Sequence, residues 1–130
     1  MPPDISPPGS PQEWLNRARS NLAIDRRPKT DDIYWEDPCF ETQQAAEKAL
    51  KAVMLARGIS FRLVHDLSEH LTVLEKNGVS LPDEVRSAAI LSDYSVAARY
   101  PGPYEPVTES EFRESLRIAD AVVAWAESQL

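Results

Sequence analysis

One uninterrupted helix-favouring stretch, residues 38–58, constrains the fold of this chain more than any other feature. Asp37 suits an N-cap and Pro38 suits a first helical turn, where its missing N–H costs no hydrogen bond. Gly58 suits the left-handed position that ends a helix. Small residues recur on one face between these signals: Ala45, Ala49, Ala52 and Ala56. Because small side chains let a neighbouring helix approach closely, we predict that this helix lies at the centre of its domain.

Four further segments carry apolar residues at helical spacing, with boundary signals at their ends. Ser10, Asp66 and Thr108 each precede a glutamate by three positions, which is the spacing of a capping box. No segment shows sustained alternation of period two, and no internal repeat occurs. We therefore predict an all-α fold of five helices, in which four form an antiparallel up-and-down bundle and helices 2 and 5 are most buried. The predicted helices cover about residues 10–27, 37–58, 66–77, 82–98 and 108–130.

Chain length and composition fit one globular domain. With 130 residues, of which 42% are hydrophobic and 27% charged, the chain is long enough for one core but not for two. Residues 1–9 contain four prolines and a glycine, so we expect a loose N-terminal tail there and a single domain over residues 10–130. The net charge of −7 argues against sequence-independent binding of long nucleic acids, which requires many cationic contacts.

The single cysteine and the absence of long apolar stretches suggest where the chain acts. Cys39 permits no internal disulfide, which suits a reducing compartment. With no motif around it, Cys39 is interpreted as a small helix residue rather than a nucleophile. The start Met-Pro-Pro-Asp lacks a basic region followed by an apolar run, and no apolar stretch approaches the roughly 18 residues of a membrane span. We expect a cytoplasmic protein with no membrane contact.

The main electrostatic feature is an acid-free segment in an otherwise acidic chain. From residue 48 to residue 65 there is no aspartate or glutamate, whereas four residues are basic: Lys48, Lys51, Arg57 and Arg62. Glu47 and Lys51 have the i, i+4 spacing of an ordinary solvated ion pair on a helix surface. The basic segment also suits a local anion site, so both interpretations stay open.

A His65-Asp66 step follows the basic segment. In one interpretation Asp66 caps a helix and His65 packs at its edge; in the other, His65 helps to hold a phosphate or ribose, because histidine titrates near neutral pH. His70 is expected at the surface, paired with Asp66. Two histidines with no cysteine beside them and no clear carboxylate triad are a poor zinc site. No glycine-rich nucleotide fingerprint occurs either, so we expect no metal and no cofactor.

Three motifs in order carry a family resemblance: Gln43-Gln-Ala-Ala-Glu-Lys-Ala-Leu-Lys-Ala, His65-Asp66-Leu67 and Arg99-Tyr100-Pro101. From Trp14 to the C-terminus the chain resembles the HEPN domain, a small helical domain. The resemblance implies a helical module that works beside a small nucleotidyltransferase, commonly as a dimer, with a possible nucleotide or phosphate site. The ligand-binding residues that we expect on this basis are His65, Asp66, Arg99, Tyr100, Lys48 and Lys51.

The resemblance also implies an alternative activity, because many HEPN proteins resemble metal-independent, toxin-like ribonucleases of toxin–antitoxin pairs. Their signature places an arginine four to six residues from a histidine. Here seven residues separate Arg57 from His65 and two separate Arg62 from His65, while seven separate Arg62 from His70. This spacing disfavours a ribonuclease in which His65 acts with Arg57 or Arg62. A structural helical dimer without a ligand is the third hypothesis.

Overall fold

The computed structural model describes residues 9–94, 102 and 105–130 of the chain. Within these residues every regular element is helical and there is no strand, so the predicted all-α fold is confirmed. The five α-helices correspond to the five predicted segments. Their bounds are α1 (Pro11–Asp25), α2 (Glu36–Ala56), α3 (Leu67–Lys76), α4 (Asp83–Arg86) and α5 (Glu109–Gln129), with a 3₁₀-helix (Ser87–Tyr94) directly after α4.

Local capping explains where α1 and α5 begin. The Thr108 hydroxyl accepts the N–H of Glu111 at 3.1 Å, and the Glu111 carboxylate accepts the N–H of Thr108 at 3.1 Å, which completes the predicted capping box. At α1 only half of the predicted box forms. Ser10 Oγ accepts the N–H of Glu13 at 3.2 Å, but the Glu13 carboxylate accepts the N–H of Gly9 instead.

The start of α2 differs from the prediction, because long-range packing decides it. The helix begins at Glu36 with Trp35 at the N-cap position and no side-chain cap, so Asp37 lies inside the first turn. The Trp35 ring stacks on Phe112 of α5, with 5.2 Å between ring centres. That contact fixes the entry of the chain into α2 without a polar cap. At the other end, Gly58 has φ +67°, as the stop signal predicted.

The core of the described part of the chain is built around α2, which packs against α1, α3, α5 and the 3₁₀-helix. More side chains are buried in α2 and α5 than in any other element, as predicted. Ala45, Ala49 and Ala52 are fully buried, whereas Ala56, the last residue of α2, is exposed. The larger core side chains around them include Leu15, Leu22, Leu50, Val53, Ile118 and Val122.

The predicted fourth helix is α-helical over only one turn. After Arg86 the chain continues as a 3₁₀-helix to Tyr94, and the rest of the predicted helix lies outside the described residues. Its buried residues Val85, Ala88 and Leu91 recur every three positions. Three residues per turn is the repeat of a 3₁₀-helix, so this winding keeps all three against the core. Nowhere in residues 9–94 and 105–130 is a helix both long and apolar enough to cross a membrane.

Candidate functional site

A buried carboxylate in the middle of α2, Glu47, organises the main polar network. Its Oε1 lies 2.9 Å from His65 Nδ1 and accepts the Gln43 amide at 3.0 Å, while its Oε2 accepts the Lys51 ammonium at 2.9 Å. Gln43 also donates to the backbone carbonyl of His65 at 3.2 Å. The Glu47 and Lys51 side chains are only 4% and 7% exposed. The interpretation of this pair as an ordinary solvated ion pair is therefore wrong.

Aromatic side chains cover the Lys51 end of the network. Lys51 Nζ lies 5.4 Å from the ring centre of Trp14 and 5.7 Å from that of Phe61. An ammonium group at this distance from an aromatic face is stabilised by the ring quadrupole. Of the expected ligand-binding residues, Lys51 is thus placed inside the protein, where it compensates the charge of Glu47.

The charge of Glu47 determines which nitrogen of the His65 ring carries the hydrogen. Burial of Glu47 disfavours its charge, but hydrogen bonds from Lys51, His65 and Gln43 outweigh burial and hold the pKa of Glu47 below its usual value. Because Glu47 is therefore an ionised acceptor, His65 Nδ1 must carry a hydrogen. The other ring nitrogen, Nε2, can then accept a proton or, in the protonated ring, donate to an anion. The His65 side chain is 58% exposed, so an external group can reach it.

The start of α3, directly after His65, is closed by side-chain caps. Asp66 is the N-cap, as expected, but it accepts the N–H of Ser68 at 3.0 Å. The N–H of Leu67 donates to Ser92 Oγ at 2.8 Å. The predicted capping box with Glu69 is not formed, because Glu69 accepts Arg62 Nη1 at 2.8 Å instead. The N–H groups of the first two residues of α3, Leu67 and Ser68, therefore already have acceptors within the chain.

His70 was expected at the surface, and that prediction is wrong. Its side chain is fully buried, because it lies on the same face of α3 as Leu67, Leu71 and Leu74. His70 Nε2 lies 3.0 Å from the Val64 carbonyl, and its ring meets Phe61 edge-on. Burial lowers the pKa of His70, so the ring is neutral. His70 therefore has no access to an external ligand.

The other basic candidates contact groups away from His65. Arg57 Nη2 donates to Gln129 Oε1 at the end of α5 at 2.6 Å, and Lys48 Nζ donates to Asn21 Oδ1 on α1 at 2.9 Å. Arg62 is exposed and paired with Glu69, as described above. The structure thus joins His65 with Glu47, Gln43 and Lys51.

Two further expected ligand residues, Arg99 and Tyr100, lie outside the described residues. Cys39 is fully buried in the first turn of α2, and burial raises the pKa of its thiol to about 12. A thiol in that state is a poor nucleophile, which agrees with its interpretation as a small packing residue.

Sequence reasoning missed the roles of Gln43 and Glu47 as partners of His65. A signal was present in the spacing of three polar residues. Gln43, Glu47 and Lys51 follow one another at i, i+4 among the apolar residues of α2, which here are Ala45, Ala46, Ala49, Leu50 and Ala52. Polar residues at this spacing form one stripe along a helix that is otherwise buried.

The described chain is thus a small helical domain. Beside its central helix α2 lies a polar site in which the half-exposed His65 contacts the buried Glu47. The family model of the HEPN domain matches residues 11–129. The chain therefore belongs to the HEPN domain family. No match was found among curated proteins.

Two solved structures are similar to this chain over most of its length. TT1696 from Thermus thermophilus is 33% identical, with a TM-score of 0.78, over 92% of this chain and 98% of that one. ST0689, described as an archaeal HEPN homologue, is 28% identical, with a TM-score of 0.73, over 92% of this chain and 97% of that one. The helical arrangement described above is thus shared with both solved structures, one of which is described as a HEPN homologue.

Proposed function

We propose that this HEPN domain is a binding module that holds the phosphate of a nucleotide at His65. The observation that carries the proposal is the 2.9 Å contact between His65 Nδ1 and the buried Glu47. It fixes the ring and leaves Nε2 for a ligand. A half-exposed histidine without such a partner would lose more rotational freedom on binding.

The charge balance of the network favours an anion at His65. Lys51 offsets the charge of Glu47, so the buried pair leaves no net negative charge beneath the His65 ring to repel an anion. A hydrogen bond from an imidazolium Nε2 to a phosphate oxygen is charge-assisted and stronger than a neutral one. Family resemblance implies Arg99 and Tyr100 as further contacts, with Asp66 as the cap that orients the start of α3.

Calorimetric titration of nucleoside mono- and triphosphates into the full chain tests this proposal. We expect binding by the wild type and a loss of about 10-fold or more in His65→Ala, since hydrogen bonds to charged groups are worth about 1.5–3 kcal/mol. Arg99→Ala should also weaken binding. Arg86→Ala is the control, because it removes a cation from an exposed pair with Glu75. Equal affinities of wild type and His65→Ala would refute the proposed site.

We also propose that the module acts in the cytoplasm beside a small nucleotidyltransferase that supplies the catalytic carboxylates. Membership of the HEPN family supports this, and so does the His65 site, which has no obvious catalytic partner among the described arginines. A neighbouring reading frame with a Gly-Ser and paired-aspartate signature, whose product co-purifies with this chain, is the expected finding. A co-expressed candidate that never associates with the chain would count against the partnership.

A second candidate function, metal-independent RNA cleavage, is favoured by one observation. A histidine oriented by a carboxylate through Nδ1 is a suitable general acid or base. The contacts of Arg57 and Arg62 with other groups weigh against it. Incubation of RNA with the wild type and with His65→Ala decides the matter, because only cleavage that His65→Ala abolishes would support this function over the binding module.

A further inference from the structure

A second site candidate is an open pocket where the end of α1 meets the first turns of α2 and α5. Its volume is about 740 Å³, which is within the size range of small-molecule sites. His65 and Glu47 are not among the residues that line it, so it is separate from the polar site beside α2. The walls are largely apolar and include Ile24, Pro28, Ile33, Trp35, Phe112 and Leu116.

Two isoleucines leave apolar surface open to water in this pocket. Ile24, near the end of α1, is 54% exposed, and Ile33, in the connection to α2, is 41% exposed. The Trp35 ring is less available, because it stacks on Phe112 and the Lys29 ammonium lies 4.6 Å from its centre. An apolar ligand would therefore gain most by covering the two isoleucines, since removal of apolar surface from water drives such binding.

Positive charge outweighs negative charge among the residues that line the pocket. Four of them are basic and three are acidic, namely Arg26, Arg27, Lys29 and Arg113 against Asp25, Asp37 and Glu41. Burial, and secondarily the charge of Glu41, raise the pKa of Asp25 to about 8, so this carboxyl group is largely protonated at neutral pH. Four cations thus face two charged carboxylates, which favours an anionic ligand over a cationic one.

Arg27 is the lining cation that is free to hold an anion. The other three already contact acceptors within the chain: Arg26 pairs with Asp120, Arg113 pairs with Glu109, and Lys29 donates to the carbonyls of Thr30 and Ile33. The Arg27 side chain is exposed and has neither a hydrogen-bond acceptor nor an ion-pair partner within the part of the chain that the structure describes. An external anion can therefore reach its guanidinium.

We propose that this pocket binds a small aromatic carboxylate, whose ring covers Ile24 and Ile33 and whose carboxylate pairs with Arg27. The two oxygens of a carboxylate match the fork of N–H donors on a guanidinium. A rigid ring loses less conformational freedom on binding than a flexible apolar chain, and its edge can contact the rings of Trp35 and Phe112 favourably. This site is independent of the proposed function of His65.

Calorimetry of the full chain at pH 7 with three compounds that share one ring tests the proposal. The compounds are naphthoate, its neutral analogue naphthamide and its cationic analogue naphthamidinium, all substituted at the same ring position. We expect naphthoate to bind about 10-fold more tightly than naphthamide, because a hydrogen bond between two charged groups is stronger than one to a neutral amide. Naphthamidinium should bind most weakly, because the lining cations repel it.

Two variants locate the ligand in the pocket. Arg27→Gln should weaken naphthoate binding about 10-fold and leave naphthamide binding unchanged, because it removes the charge that only the carboxylate uses. Ile33→Ser should weaken the binding of both compounds, because it removes apolar surface that the shared ring covers. Arg86→Gln is the control, since it removes a cation from an exposed pair with Glu75 and should bind naphthoate like the wild type.

Each outcome supports or refutes the site. The predicted order of affinities, with the loss in Arg27→Gln confined to naphthoate, supports it. Equal affinities of the three compounds would assign the pocket to a neutral apolar ligand, and tightest binding of naphthamidinium would assign it to a cation; either result overturns the proposal. Failure of naphthoate to bind at millimolar concentration, or binding that Arg27→Gln or Ile33→Ser leaves unchanged, would overturn it as well.

Discussion

At the scale of single residues, two buried titratable side chains give the stability of this domain opposite dependences on pH. Asp25 has a raised pKa, so its contribution is greatest at low pH and is lost as pH rises towards about 8. His70 has a lowered pKa, so its contribution is complete above the ordinary histidine value and is lost as pH falls below it. The two effects overlap near neutral pH, and single substitutions are needed to separate them.

The stability of Asp25→Asn relative to the wild type should be higher at pH 8 than at pH 5. The folded wild type keeps the Asp25 proton across this interval, whereas the unfolded chain, with a pKa near 3.8, has released it. Wild-type stability therefore falls with rising pH by up to a few kcal/mol through this group, and the amide removes that dependence. Urea denaturation of variant and wild type at both pH values measures the difference in their free energies of unfolding. An equal difference between variant and wild type at pH 5 and pH 8 would contradict the assigned burial.

At the scale of elements, α2 carries a buried ion pair, Glu47 with Lys51, within the main apolar core. A double-mutant cycle measures the coupling energy of this pair. Lys51→Met alone should cost about 3–5 kcal/mol, because it leaves the Glu47 carboxylate buried without its counter-charge. Adding Glu47→Leu should recover much of that loss. The same cycle on Glu109 and Arg113, an exposed pair at the same i, i+4 spacing, should give a coupling of only about 0.3–0.5 kcal/mol. Similar coupling energies for the two pairs in chemical denaturation would be inconsistent with the burial of Lys51.

Packing of α2 is tested by a second comparison within the same helix. Leu50 is fully buried, and Leu50→Ala should cost about 2–5 kcal/mol through lost contacts and a residual cavity. Leu55 is 36% exposed, so Leu55→Ala should cost clearly less. Thermal or urea unfolding of the two variants gives the comparison, and an equal loss in both would argue against the central position of α2.

Most helix boundaries could be predicted, because the residues that set them lie close together in sequence. Features that depend on contacts between distant residues could not be predicted in this way. Thr108 and Gly58 act through neighbours in sequence, and both predictions are confirmed. The start of α2 depends instead on Trp35 stacking on Phe112, far along the chain. Within the site, the contact of Glu47 with His65 spans 18 residues and became visible only in three dimensions.

At the scale of the whole molecule, we expect this chain to form a homodimer, or a heteromer when a nucleotidyltransferase is present. Family resemblance supports association. Most of the apolar surface of α2 and α5 is buried within the chain itself. Exposed apolar side chains nevertheless occur, with Leu63 88% and Ile90 52% exposed. Light scattering at micromolar concentrations should give twice the mass of the chain, and a monomer both alone and with the candidate partner would contradict this prediction.

Nuclear magnetic resonance of the two imidazole rings tests most directly whether His65 binds the ligand proposed for this HEPN domain. The chain contains only two histidines, and His70 is fully buried, so it serves as an internal control. Titration with a nucleoside triphosphate should shift the ring resonances of His65 progressively and leave those of His70 nearly unchanged. Unchanged His65 resonances at millimolar nucleotide, with and without a nucleotidyltransferase partner, would contradict nucleotide binding at His65.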